Sequence, residues 1–296
     1  MNAYQTALED SQDLTDVQVP HQEHAPPRPR LSLWLMCAAM VLIVALKPDQ
    51  VEWPHWNLLG WPLMIAALVL ARRDPQPNWF RSCVLFAYTI TLLWFTRVDG
   101  DTANAHVLEL ALKLGVGILL VPALAAKYWL KAPLDYSWFH GRWSRRMWLW
   151  FPASFVIAFS VLWFYFHHWT PDLHLSWRLD YYPSKTEALW RIFWGCNFVG
   201  VWDELAFINF VFVLMWRRFP FWEANLAQAV FFTSFLFDMA FVGVGPVVIF
   251  CFALIQGYTY MRTRSLAYIV VLHVLVDTVL FYMIANRWYP GWGWHP

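Results

Sequence analysis

Apolar residues run in long blocks along this chain, and the charges gather between blocks instead of alternating through them. Nine such blocks follow residue 30, at about 31–47, 57–71, 81–96, 107–126, 147–166, 188–216, 225–242, 246–261 and 265–286. They are too long and too continuous for the strands of a soluble sheet, and several approach the roughly 20 residues that a perpendicular span requires. The pattern predicts an all-α polytopic integral membrane helical bundle of about eight or nine transmembrane helices.

Composition sharpens that reading. The chain is 59% hydrophobic and 14% charged, against roughly 45–50% and 25% for a soluble domain. Its 22 tryptophans suit membrane interfaces, where an indole can be apolar on one side and hydrogen-bonded on the other. Soluble globular, disordered, collagen-like and disulfide-scaffold classes are excluded. Lys plus Arg (21) nearly balances Asp plus Glu (20), so there is no global basic surface and nucleic acid is not expected as a partner. Cys37, Cys83, Cys196 and Cys251 stand in apolar blocks without a CxxC pair, and read as buried small hydrophobes.

Residues 1–30 form a polar tail containing Pro26, Pro27 and Pro29, expected to be flexible. The tail lacks the charged start and apolar core of a cleaved signal, so the first block is expected to remain as an anchor. Residues 31–166 then hold about five spans, 187–286 a core of about four, and 287–296 a Trp-rich tail. With the N-terminus cytoplasmic, fourteen of the 21 Lys and Arg fall on the cytoplasmic side, among them Arg72, Arg73, Arg217, Arg218, Arg262 and Arg264.

Ionisable residues at membrane depth are costly and are functional candidates by default. Glu109 with Lys113, and Glu187 with Arg191, have the spacing of helical ion pairs. A second group differs: Asp203 and Glu204 in block six, Asp238 in block seven, His273 and Asp277 in block nine. Asp203 lies 14 residues before Arg217, Asp238 13 after Asn225, and His273 and Asp277 8 and 12 after Ser265. At 1.5 Å per residue, all five fall roughly 12 to 21 Å from the cytoplasmic face. His273 and Asp277 share one helical face. The group suits general acid/base chemistry, with Glu204 or Asp203 as base. It also suits a divalent metal held by Glu204, Asp238 and His273, or polar glue between helices.

These residues resemble the motifs of the CPBP intramembrane proteases, which include the type II CAAX prenyl endopeptidases and the bacteriocin-processing or Abi proteins. That family carries EExxxR, FxxxH and HxxxN/D on successive helices. Asp203-Glu204 matches the acids of the first motif, His273 to Asp277 matches the third in full, and 257–273 is similar to the stretch leading into it. The arginine of the first motif is Ile208, followed by Asn209. The histidine of the second motif is absent, its place falling at Asp238 or, with a three-residue shift, at Phe241.

The resemblance implies an intramembrane endopeptidase in which a glutamate and histidine activate water against a peptide bond. It implies a membrane-associated protein or peptide as substrate, in a bacterial cytoplasmic (inner) membrane. No cofactor is required on that mechanism, and a divalent metal is the variant. The alternatives are a catalytically inactive relative that binds or protects a membrane protein, and a proton- or ion-coupled carrier.

Overall fold

The computed structural model describes residues 27–47, 55–98, 100–101, 103–134, 138–139, 143–170, 172–177, 179–180, 182–239, 241 and 243–291. Most of the polar tail, Asp99 of the acidic loop and the end of the Trp-rich tail therefore lie outside the described residues.

Nine long helical stretches appear among the described residues, one for each apolar block. They are α1 (Pro27–Met40, continued by Val41–Ala45), α2 (Trp56–Arg72), α3 (Pro77–Trp94), α4 (Asn104–Tyr128) and α5 (Arg145–Trp169). The last four are α6 (Lys185–Trp216), α7 (Phe221–Asp238), α8 (Gly245–Thr263) and α9 (Leu266–Trp288). The first helix begins at Pro27, inside the stretch expected to be tail. Four of them, α4, α5, α6 and α9, are both long and apolar enough to cross a membrane alone, and α1 and α2 are shorter apolar helices. The protein is an all-α polytopic membrane bundle.

Local chemistry sets the helix ends. Ser144, Ser184 and Ser265 accept backbone N–H bonds from Met147, Glu187 and Tyr268, and so cap α5, α6 and α9. Gly243, at φ 65°, supplies the left-handed turn between α7 and α8, and Pro246 occupies the first turn of α8. Arg264, at φ 51°, closes α8 immediately before the Ser265 cap.

Packing distinguishes centre from rim. The most apolar windows of α6 and α9 are 72% and 61% buried inside the protein, whereas those of α4 and α5 are 17% and 22% buried and present apolar surface to lipid. α9 packs against α6 and α5, α7 against α8 and α6, and α1 against α2 and α7. Between α7 and α8 the contact is partly polar: Asn225 Nδ2 donates to the Leu254 carbonyl and Gln228 Nε2 to that of Ala253.

Most of the arginines collect at one end, Arg191 and Arg287 lying toward the other. At the arginine-rich end Arg218 pairs with Asp74, Arg217 donates to the carbonyls of Ala132 and Pro133, Arg81 to that of Trp129, and Arg30 pairs with Glu223. Hereafter this is the arginine end, and the opposite end, where α3 stops at Trp94 and α7 at Asp238, is the loop end.

Candidate active site

α6 changes its winding at the acidic pair: from Glu204 to Phe212 it runs as a π-helix, a form that recurs inside α-helices at functional positions. Adjacent residues on a helix point about 100° apart, so Asp203 and Glu204 diverge, and the imidazole of His273, from α9, sits between them. His273 Nδ1 lies 2.7 Å from Glu204 Oε1, while Nε2 lies 3.8 Å from Asp203 Oδ2 and 3.7 Å from Asp277 Oδ1. Phe232 and Phe252 pack on the ring, with centroids at 6.0 and 5.0 Å.

Glycine makes the assembly possible. A Cβ on Gly200 would overlap Asp277 Oδ2 and crowd the His273 ring, so α6 and α9 can bring these groups together only where α6 has no side chain.

Four of the five candidates therefore converge: Asp203, Glu204, His273 and Asp277. Asp238 does not join them. It is the last residue of α7, 17 residues and about 26 Å along the axis from Phe221. Its carboxylate pairs with buried Lys47 at 2.5 Å, and Lys47 also donates to the Thr96 carbonyl. The shared-depth estimate misplaced it because α7 starts at Phe221 and reaches the loop end at Asp238. The trio of Glu204, Asp238 and His273 consequently does not fit a metal, and no group of His, Cys, Asp and Glu among the described residues has the arrangement of a metal centre.

The alternative second-motif position, Phe241, stacks near Tyr165 and meets Trp177 edge-on, away from the imidazole. Ile208, in the place of the family arginine, is buried among apolar groups, and neighbouring Asn209 is fully buried with neither amide atom hydrogen-bonded.

One member of the centre is absent from the candidates read in the sequence. Gln256, on α8, donates from Nε2 to Glu204 Oε1 at 2.6 Å. A lone amide in the middle of an apolar block was the available signal; a search confined to ionisable groups passes over it. Glu204 Oε1 thus meets both Gln256 and His273.

The centre lies on the wall of a cavity of about 1400 Å³. Asp203, Gln256, His273 and Asp277 line it, as do Cys196 and Cys251, whereas Glu204 is fully buried behind them. The expectation that all four cysteines are buried holds for Cys37 and Cys83; Cys196 is partly exposed and Cys251 exposed. The two helical ion pairs form as spaced, Glu109 with Lys113 and Glu187 with Arg191, the latter also donating to Asn104.

Residues 185–279 match the family described as Rce1-like, type II CAAX prenyl endopeptidase. The matched region is a CPBP-family domain, and it contains α6, α7, α8 and most of α9. The matched family is one of membrane peptidases. Comparison with curated proteins and with solved structures gave no match.

Proposed function

We propose that this chain is an intramembrane endopeptidase that hydrolyses a peptide bond of a membrane-associated protein at the His273 centre. The observation that carries the reading is the environment of the imidazole: one nitrogen held on a carboxylate, the other turned toward a cavity between two more. Gaps of 3.7 and 3.8 Å from Nε2 to Asp277 and Asp203 are too long for direct hydrogen bonds and suit a bridging water.

In this reading Glu204 acts through His273. A proton on Nδ1 is donated to Glu204 Oε1, which leaves Nε2 bare toward the cavity and stabilises the charged ring once it forms. Nε2 takes a proton from the water as its oxygen attacks the peptide carbonyl, and returns it to the departing amine. Asp203 and Asp277 orient the water; a carboxyl donates to the developing oxyanion only when protonated. No step requires a metal.

The setting proposed is a bacterial cytoplasmic membrane with the N-terminus and the arginine end inside, by the bias of Lys and Arg to that side. A binding relative without chemistry is the competing reading, favoured by Ile208 and by the absent second-motif histidine. Comparison of new peptide N-termini in host membranes carrying the native chain or Glu204→Ala at equal abundance decides between them. Termini that depend on Glu204 support hydrolysis, and identical sets overturn it.

A further inference from the structure

The foot of α4, at the arginine end, carries charge that its packing does not use. The most apolar window of this helix is only 17% buried inside the protein, so most of its length faces lipid. It runs out through Lys127 and Tyr128 into Trp129 and Lys131. Lys131, at φ 53°, turns the chain there, and the N–H groups of Leu130 and Ala132 close on the carbonyls of Ala125 and Ala126. At the same end α2 stops at Arg72, followed by Arg73, and α3 starts a short turn later at Pro77.

One seam joins these three helix ends. Arg81 Nη1, on α3, donates to the Trp129 carbonyl at 2.7 Å, with its guanidinium 5.7 Å from the centre of the Trp129 ring. Phe80, next in the chain, carries the Arg72 guanidinium 5.9 Å over its ring, and Lys127 lies 5.2 Å over that of Tyr128. Arg72, Arg73, Lys127 and Lys131 are all exposed, as are the rings of Tyr128 and Trp129.

The acids of this end are engaged elsewhere. Asp74, in the α2–α3 turn, has a side chain 1% exposed, and both of its oxygens accept from Arg218. Glu223 pairs with Arg30. Among the described residues no carboxylate pairs with Arg72, Arg73, Lys127 or Lys131. Even counting Asp135, which lies outside the described residues, the seam keeps a surplus of positive charge.

The position of the seam identifies what that surplus meets. It stands where α2 and α4 leave their apolar blocks, which is the level of lipid headgroups, and exposed Tyr and Trp suit the same level. Cations grouped between helix ends at one membrane face match phosphate oxygens, the arginine fork pairwise and the ammonium as a point charge. Immediately within, Leu120, Val121 and Leu124 on α4 are 50%, 40% and 45% exposed. A soluble anion would gain nothing from that apolar flank, whereas a phospholipid uses both parts.

We infer that the seam between α2, α3 and the foot of α4 binds the headgroup of an anionic phospholipid, whose acyl chains lie along the exposed flank of α4. The bound phosphate bridges α4, the least buried of the four long spans, to its neighbours. Such a site holds whether or not the chain is a peptidase.

Unfolding midpoints of the whole chain in nanodiscs of phosphatidylcholine, with and without phosphatidylglycerol, test it. Three proteins are compared: the native chain, a foot variant with Arg73→Gln, Lys127→Gln and Lys131→Gln, and a control with Arg145→Gln, Arg146→Gln and Arg262→Gln, exposed cations on α5 and α8. Phosphatidylglycerol is expected to raise the midpoint by about 3 °C in the native chain and the control, and by less than about 1 °C in the foot variant. No shift in the native chain, a shift that survives in the foot variant, or an equal loss in the control overturns the proposal. A second measurement needs no variant: inorganic phosphate or glycerophosphoglycerol, added to the native chain in phosphatidylcholine, is expected to leave the midpoint unchanged. A shift equal to that given by phosphatidylglycerol would make the ligand a free anion and overturn the lipid assignment.

Discussion

His273 is defined by a different partner on each nitrogen, and the two partners ask different things of the sequence. The Nδ1 side depends on Glu204, itself held by Gln256. Gln256→Met keeps the size and removes the donor; kcat is expected to fall about ten- to hundredfold with KM little changed, and Gln256→His, which restores an N–H donor, to recover part of it. A peptide spanning a junction exposed by the native chain supplies the assay, and equal kcat for all three proteins would contradict the assignment. Gly200→Ala displaces the Asp277 carboxylate and crowds the His273 ring away from α6, and should cost about a hundredfold in cleavage, read on the same peptide against a thermal-unfolding control. The HxxxD spacing made His273 and Asp277 legible in sequence, because four residues on a helix fix a shared face whatever surrounds it. Gln256 was not, because an uncharged amide carries no signal of what it faces.

Whole helices follow from apolar blocks and serine caps, which is why nine blocks became nine helical stretches. What the blocks do not encode is which helix faces which. Asp238 and Lys47 are 191 positions apart, and only the packing of α1 on α7 joins them. Their pair is buried, with side chains 2% and 6% exposed, so breaking it leaves an uncompensated charge. Lys47→Met is expected to destabilise the protein by about 3–5 kcal/mol, and Lys47→Met with Asp238→Leu to recover most of that loss. Unfolding midpoints in detergent measure both; a single substitution without effect would show that the pair does not tie the N-terminal helices to the CPBP domain. The π-helical stretch at Glu204 was equally illegible, since its winding is settled by the neighbours of α6.

At the scale of the molecule, the peripheral helices and the CPBP domain jointly enclose one cavity, with α4 and α5 supplying the wall opposite α6, α8 and α9. The family motifs lie within the matched residues 185–279 and say nothing of this wall. On the proposed reading, chemistry resides at the His273 centre while Asp238, its neighbour in motif order, serves the frame. Counting new peptide N-termini in host membranes with His273→Gln and with Asp238→Asn, each at the abundance of the native chain, tests it most directly. The termini are expected to vanish with His273→Gln and to persist with Asp238→Asn; termini that survive His273→Gln and vanish with Asp238→Asn would contradict that reading.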